Sequence, residues 1–451
     1  MLLLLLIIGV LIFLFFAWFA VVSVIEKEPL AAKRSLMLAI ILPSPFIILA
    51  FNIISNSFLM GKILVGIVFL VTIVLMFPYN KTVKITKENP YLRFDERDTM
   101  FSRNEITRKP ELSKEYYSRL PEKLVLDKEW HTKPGLMSEK SSMYSPMTFA
   151  AADASFFAIE QLRPFVKTYK SENKKEIDAE KISKFITKWA KKIGAVSVGF
   201  CEMKDYHYYS IRGRGDYYGK KVVPTHKYGI AFTVEMDKDF LATGPAGHTL
   251  MESAQQYLNS GTMAIQIAKF ISNLGYEARA HIDGNYELIA PLVARDAGLG
   301  EIGRMGLLMT PTLGPRIRIA VITTNIPLKI TKRKPNYTVQ DFCGICKKCA
   351  DVCPSQAIQK IPLQIIDGVQ RWKINHEKCF GYWCVSGTDC GRCMSVCPYS
   401  HPNNLLHNIV RWGIGHSWVF RRFALFMDDF FYSRRPKPAK VPKWMQVSKS
   451  A

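Results

Sequence analysis

The chain has 451 residues, with 61 Lys and Arg against 38 Asp and Glu and a formal net charge of +23. That length accommodates two or three domains with a sizeable core. So basic a balance suits nucleic acid or an anionic membrane surface; no helix-turn-helix, zinc-finger or aromatic RNA-binding pattern is present, so nucleic acid is set aside and membrane lipid is the expected partner.

The N-terminal 80 residues predict an anchor of three transmembrane helices, at about 1–25, 36–58 and 62–80. Met1–Ile25, Ser35–Gly61 and Ile63–Asn80 are each free of charged residues, and each approaches or exceeds the roughly 20 residues that cross a hydrocarbon core. No Lys or Arg precedes the first run, and its length does not suit a cleaved signal peptide. Cations set the expected orientation. Lys27, Lys33 and Arg34 occupy the first loop, Lys62 alone the second, and Lys81, Lys84, Lys87 and Arg93 follow the third run. The first loop and everything after the third span are therefore expected in the cytoplasm, on a multi-pass protein of the cell membrane.

Residues 81–145 are polar and charge-rich, and predict a linker and surface arm. Beyond them the patterns mix. Lys167–Ala195 predicts a helix. "GAVSVGFCEM" and "YGIAFTVEM" predict strands, being short and rich in Val, Ile and Phe. "SAQQYLNSGTMAIQIAKFISNLGY" predicts a helix that stops near Gly275. The fold class is α+β. The glycines of "AGLGEIGRMG" match neither a dinucleotide fingerprint nor a phosphate loop.

Of ten cysteines, Cys201 stands alone at the end of an expected strand and reads as a buried structural thiol. The other nine fall between Cys343 and Cys397, a clustering that points to thiolate ligation rather than disulfides. Cys343, Cys346, Cys349 and Cys353 with Pro354 form the C-x2-C-x2-C-x3-C-P run of bacterial ferredoxins, in which the fourth cysteine reaches the other cluster. "CFGYWCVSGTDCGRCMSVCPYS" closes with a second C-x2-C-x3-C-P. Exchanged fourth ligands give Cys343, Cys346, Cys349 and Cys397 for one four-iron cluster and Cys353, Cys379, Cys390 and Cys393 for the other. Cys384 is the spare, or the rival to Cys379. Structural zinc suits paired CxxC knuckles, not a triplet at three-residue steps ending in CP.

"ERDTMFSR", "LGYEARAH", "NYELIAP", "DAGLGEIGRMGLLMTPTLGPRIR", "TTNIPL", both cysteine motifs and the tail "MDDFFYSRRP" occur in one order from Glu96 onward. Together they resemble the corrinoid-dependent reductive dehalogenases. The resemblance implies a nitroreductase-like corrinoid-binding domain at 146–335, a ferredoxin-like domain for two [4Fe-4S] clusters at 336–405 and a C-terminal tail at 406–451. It implies a corrinoid bound base-off with no protein ligand on cobalt, and none of the nine histidines lies in a D-x-H-x-x-G context. The implied reaction is R–X + 2 e⁻ + H⁺ → R–H + X⁻, in organohalide respiration. Its reductant comes from the membrane or the cytoplasm, and a homodimer is compatible with the sequence. Many members carry a twin-arginine signal and a separate small anchor; this chain has three spans of its own instead.

Three positions match the family's catalytic motif. Tyr257 matches the proton-donor tyrosine, Arg316 the arginine beside it, with Arg318 and Arg304 as rivals, and Asn285 a polar partner in the pocket. A neighbouring cation is expected to lower the phenol's pKa and ease proton transfer. Ser253, one helical turn before Tyr257, shares its face and is expected to line the pocket. Two other functions compete: an epoxyqueuosine reductase, which shares the cofactors but acts on modified tRNA, and a non-catalytic membrane electron-transfer protein with clusters but no corrinoid.

Overall fold

The computed structural model describes residues 1–51 and 56–445. They form two compact units, one made of 1–83 with 402–436, the other of 84–401 with 437–445.

In the first unit three stretches are long and apolar enough to span a membrane: Leu2–Ile25, Pro29–Ala50 and Ser57–Met76. The second is two helices, Pro29–Ile41 and Ser44–Ala50, interrupted at Leu42–Pro43. It starts earlier than the expected 36–58, and residues 52–55 of that expectation lie outside the described residues. The third starts five residues before the expected 62. Both shifts have one cause. A charge-free window stops at Arg34 and Lys62, whereas the helices run through them, because long basic side chains bend their charge away from the apolar helix. Lys62 Nζ lies 4.5 Å from the Phe58 ring centroid. Small residues let these helices approach: a Cβ on Gly61 would sit 2.7 Å from Leu5 Cδ1, and one on Gly9 3.2 Å from Phe46 Cβ.

Much of the expected tail at 406–451 is helical, and its residues 446–451 lie outside the described residues. Leu405–His416 and Trp418–Tyr432 are amphipathic helices, and they join the N-terminal unit. Leu406 and Phe431 pack with Phe19 and Ala31. The Trp418 amide donates to Tyr79 O at 2.8 Å, and Asn80 Nδ2 donates to Gly415 O at 2.9 Å.

The second unit centres on an antiparallel sheet of β1 (Ser197–Glu202), β2 (Tyr228–Glu235), β3 (Ala278–His281) and β4 (Ile317–Thr324), in the order β1-β2-β4-β3. Side chains alternate across it. Ile230, Phe232, Ala320 and Ile322 face the helices Ala179–Lys192 and Gly247–Asn273, in a core with Ile186 and Ile267. Cys201, Ala231 and Val321 face Ala290–Asp296 and its neighbours. Covered on both faces, β2 reads as a continuous apolar run. At Gly199 an added Cβ would meet Ala297 O at 2.1 Å, so the backbone approach there admits only glycine. The unit mixes helix and sheet as expected. The helix expected over 167–195 is confined to 179–192, behind an Asp178 cap. The next begins at Gly247, six residues before the expected Ser253, and ends before Gly275 at φ +87°.

Residues 81–145 are more than a linker. Met100–Ile106, Pro110–Arg119 and Pro121–His131 are helices. Arg103, from the "ERDTMFSR" motif, is fully buried between Asp127 (2.8 Å) and Glu377 (3.1 Å). It fastens this arm to His376–Ser386 in the cysteine-rich region. A charge run reads as solvated surface unless its partner, here 274 residues away, is known.

Candidate functional site

The two cysteine motifs fold as repeats. In each, a residue with left-handed backbone turns the chain within a C-x2-C pair: Lys347 (φ +58°) between Cys346 and Cys349, Gly391 (φ +68°) between Cys390 and Cys393. That turn brings successive thiols onto one side of a tight loop. Cys343, Cys346, Cys349 and Cys397 line one cavity, together with Arg304 and Lys348. This is the set expected for the first cluster, with Cys397 contributed by the second motif.

Cys353, Cys379, Cys390 and Cys393 form the other group. Cys353 and Cys390 both act on Cys379, and all three act on Cys393. Cys384 takes no part. It packs with Trp130 and Phe380 in an apolar cluster, and burial alone pushes its thiol up to about 11. Of the two rivals it is therefore Cys379 that stands among the other thiols.

Burial raises Cys349 to about 12, with Cys343 adding to it; burial raises Cys379 to about 12, with Cys353 and Cys390 adding to it. Crowded, buried thiols resist ionisation one by one, and bound iron relieves that by taking the thiolates as ligands. Among the described residues no three His, Cys, Asp or Glu groups close on a single metal ion. Zn–S bonds of about 2.3 Å draw four sulfurs to within about 4 Å of each other; a cubane holds them further apart. Two groups of four thiols are the donor set that two four-iron clusters require. Arg304 is placed here, not near Tyr257. It is buried, donates through Nε to Cys343 O at 3.0 Å, and lies 4.9 Å from the Trp372 ring centroid.

Tyr257 is on the long helix Gly247–Asn273, and β4 runs beneath it. Arg318 has the sheet parity of Ala320 and Ile322, so it points at that helix. Its guanidinium carbon is 4.6 Å from the Tyr257 ring centroid. Arg318 also donates to Ser253 Oγ and pairs with Asp389 at 3.0 Å. Ser253 is buried and shares the helix face of Tyr257, one turn away.

Arg316 is held elsewhere. It precedes β4, in the turn after Gly314 (φ +54°), and the alternation that aims Arg318 does not extend to it. Its guanidinium pairs with Glu235 at 2.6 Å, donates to Met236 O, and donates through Nε to Ser400 O at 3.1 Å. It ties the sheet to the turn that follows Cys397. The arginine brought to Tyr257 is the rival, Arg318.

Asn285 is buried in a knot of arginines. Its Oδ1 accepts from Arg212 and Arg279, each at 2.9 Å, and its Nδ2 donates to Arg163 O. The next residue, Tyr286, faces the Tyr257 pocket. Burial pushes its phenol well up, and Tyr257, Asp283 and Arg318 all act on it. Sequence reasoning missed Tyr286 and Asp389. The signals available were adjacency, Tyr286 to Asn285 and Asp389 to Cys390.

Tyr257, Tyr286, Arg318 and Asp389 each keep part of their surface open although protein surrounds them deeply. Groups that line a concave interior have this combination. Among the described residues neither the Tyr257 nor the Tyr286 phenol makes a hydrogen bond, so both polar edges are left for a bound molecule. Arg318 pulls the Tyr257 phenol down, as a neighbouring cation must. Burial and the Asp283 and Asp389 carboxylates outweigh it, and the net direction is above the ordinary phenol value. Asp389 connects the two parts of the site, since the residue after it is Cys390.

A family model described as a 4Fe-4S dicluster domain matches residues 342–401. Tetrachloroethene reductive dehalogenase of Sulfurospirillum multivorans is 33% identical over 203 residues, which is 44% of this chain and 40% of that one. The enzyme of the same name from Desulfitobacterium hafniense is 36% identical over 193 residues, 40% of this chain and 34% of that one. Over these stretches the chain is similar to the tetrachloroethene reductive dehalogenases. A solved catabolic reductive dehalogenase, NpRdhA, superposes with a TM-score of 0.64 at 22% identity, over 78% of this chain and 49% of that one; the likeness is one of fold. The chain spans about half, or less, of the length of the relatives it matches. An epoxyqueuosine reductase from Francisella cf. novicida is 32% identical over 154 residues, 30% of this chain and 39% of that one.

Cys201 is buried and donates weakly to Val293 O at 3.8 Å, and burial raises its thiol to about 12. It is an inert packing thiol, as its place in a strand predicts.

Proposed function

We propose that the chain is a membrane-anchored reductive dehalogenase, replacing a carbon–halogen bond by carbon–hydrogen with two electrons and one proton. The observation that carries this is the Tyr257–Arg318–Asp389 series, which runs from an unbonded phenol to the residue beside Cys390. It sets a proton-donating group next to a two-cluster ligand set.

The proposed arrangement has three parts: a nitroreductase-like domain over 146–335, a ferredoxin-like domain over 336–405, and an anchor in which the N-terminal helices are joined by 402–436. A bound corrinoid supplies a metal centre reducing enough to break a carbon–halogen bond. Tyr257, Tyr286 and Arg318 are the residues that would face it. The corrinoid is proposed to bind base-off, with no protein ligand on cobalt, and three histidines in or beside the sheet are already engaged by protein groups. His207 is tied to Asp296 at 2.8 Å, and His226 and His281 to Thr323 at 2.8 and 3.0 Å.

The chain's own groups do the rest. Tyr257 holds a proton at its phenol oxygen, protonated at neutral pH, and gives it to the carbon that loses halide. Arg318 stabilises the phenolate left behind and keeps the ring oriented. Ser253 and Asp389 hold Arg318. Cys349 neighbours Cys393, so the two ligand sets are contiguous. Asn285 and Arg316 act at one remove, Asn285 by fixing the loop that carries Tyr286 and Arg316 by fixing the turn after Cys397.

The test is metal content and turnover of purified protein reconstituted anaerobically with corrinoid. The expected result is about eight iron, one cobalt, and halide release from halogenated organics but no reaction with epoxyqueuosine-containing tRNA. Eight iron with no cobalt would leave an electron-transfer protein, and turnover of the tRNA would make the chain an epoxyqueuosine reductase.

A further inference from the structure

The helices Leu405–His416 and Trp418–Tyr432 bury one side each and leave another side apolar and open. On the first, Leu405, Ile409 and Trp412 recur at i, i+4 and i+7 and are 66%, 48% and 57% exposed. On the second, Phe423 and Phe426 are 40% and 65% exposed. Soluble surfaces rarely display five large apolar side chains on two adjoining helices, and such a patch marks an interaction surface.

The charge around the patch is cationic. Residues 402–436 hold Arg411, Arg421, Arg422, Arg434 and Arg435 against Asp428 and Asp429; Arg434 pairs with Asp429 at 3.2 Å, Arg421 bonds Lys81 O and Asn80, and the half-buried Arg411 bonds Pro402 O and Asn408 within its own helix end. Arg422 stands exposed, with its guanidinium 3.4 Å from the Trp418 ring centroid. Trp412 and Trp418 add the amphipathic rings typical of a membrane–water boundary.

Position within the unit identifies the occupant. The pair is tied to the ends of the apolar helices. Glu26, just after Leu2–Ile25, accepts from Asn404 and pairs with His407 at 3.0 Å. Tyr79, Asn80 and Lys81, just after Ser57–Met76, bond to Trp418, Gly415 and Arg421. Phe19 and Phe431 have ring centroids 4.5 Å apart. Val21, Val24 and Ile25, at the same end of the first helix as Glu26, are exposed as well. A helix is about 10–12 Å across, and an interfacial helix sinks about 5–10 Å into the headgroup and acyl boundary. A pair fixed at the ends of spanning helices therefore sits at that boundary already.

We propose that Leu405–Tyr432 is an in-plane membrane platform: Leu405, Ile409, Trp412, Phe423 and Phe426 enter the acyl boundary of the leaflet, and Arg411 and Arg422 engage anionic phospholipid headgroups. The inference rests on the anchor reading above and extends it from three crossing helices to two that lie along the surface. It gives residues 402–436 a purpose that a tail lacks.

The test uses full-length protein in vesicles of phosphatidylglycerol and phosphatidylcholine, with radiolabelled phospholipid. Photoreactive residues are placed one at a time as Phe426→benzoylphenylalanine, Ile409→benzoylphenylalanine, Val10→benzoylphenylalanine and Tyr169→benzoylphenylalanine. All four positions are exposed, so packing is kept. Phospholipid adducts are expected at 426, 409 and 10, and none at 169. In the Phe426 background, Arg411→Gln with Arg422→Gln should lower labelling of phosphatidylglycerol several-fold and leave that of phosphatidylcholine unchanged. Lipid adducts at 10 but none at 426 and 409 overturn the platform alone, as does cross-linking of 426 to a second copy of the chain. Absence of adducts at all four overturns the anchor reading itself.

Discussion

The guanidinium of Arg318 lies 4.6 Å from the centroid of the Tyr257 ring, and its other side is held by Asp389 at 3.0 Å. Tyr257→Phe keeps the ring and the cation–π contact but removes the proton. A general acid contributes about 10²–10⁴-fold, so halide release should fall by that range with iron and cobalt retained. Arg318→Gln should also slow turnover, and the double variant should be less than additive, because the two act as one unit. The sign with pH follows from the charges. Net burial raises the Tyr257 phenol above the ordinary value of about 10, so the donor stays protonated through neutral pH. Arg318 pulls it down most strongly, with Arg214 adding to it, so Arg318→Gln moves it further up. Spectrophotometric titration of Tyr257 ionisation in both proteins reads this directly, and a downward shift in the variant would contradict it. Arg316→Gln should leave that titration unchanged and lower thermal stability, since it abandons Glu235 and two carbonyls.

Cys379 and Cys384 separate cleanly by experiment. Cys379→Ala removes a thiol from the group of Cys353, Cys390 and Cys393. Iron should drop from about eight to about four, with loss of one cluster's signal in electron paramagnetic resonance. Cys384→Ala removes a packing atom group between Trp130 and Phe380. It should keep about eight iron. The reverse pattern would exchange their roles.

The legible part of this protein was whatever repeats or stays local. Cysteine spacing anticipates two groups of four thiols because ligation fixes spacing within a single tight loop. Strands and the long helix follow from side-chain alternation and from the stop at Gly275. Arg316 and Arg318 are both candidates in the sequence, and separating them needs the strand's starting point: Arg318 is inside β4 and aimed by its pleat, whereas Arg316 is in the preceding turn. Asn285 and Tyr286 differ by one residue in a loop, where no periodicity says which side chain turns inward. Arg103 and the helices 405–432 were illegible for a third reason. Their partners, Glu377 for the one and Phe19 and Tyr79 for the other, lie hundreds of positions away.

Cation placement makes a topological prediction. The pair 405–432 bonds both to Glu26 and to Tyr79–Lys81, so the first loop and the exit of the third helix share one face. Lys27, Lys33 and Arg34 accompany the one, and Lys81, Lys84 and Lys87 the other. The positive-inside tendency puts that face toward the cytoplasm. A C-terminal fusion to a reporter fluorescent only in the cytoplasm should be bright, and one to alkaline phosphatase silent. Active phosphatase there would invert the orientation and leave the shared face intact.

Asp296 gives a stability prediction with a definite pH window. It ends the helix that covers one face of the sheet. Burial alone raises its carboxyl, but hydrogen bonds from His207 (2.8 Å), Arg295 (2.8 Å) and Tyr206 (2.6 Å) outweigh burial and hold it well below the usual carboxylate range. A carboxylate depressed in the folded state stabilises the fold fully above its unfolded pKa of about 3.9, and that stabilisation is lost as pH falls through this value toward the folded one. Asp296→Asn removes the charge, leaving Arg295 and His207 without their carboxylate partner. The expected cost at neutral pH is about 1–3 kcal/mol. In detergent, thermal unfolding of wild type and variant should differ clearly at pH 7 and converge as pH falls below about 4. A difference of the same size at pH 3 would mean that shape, not the charge on Asp296, is what the helix end requires.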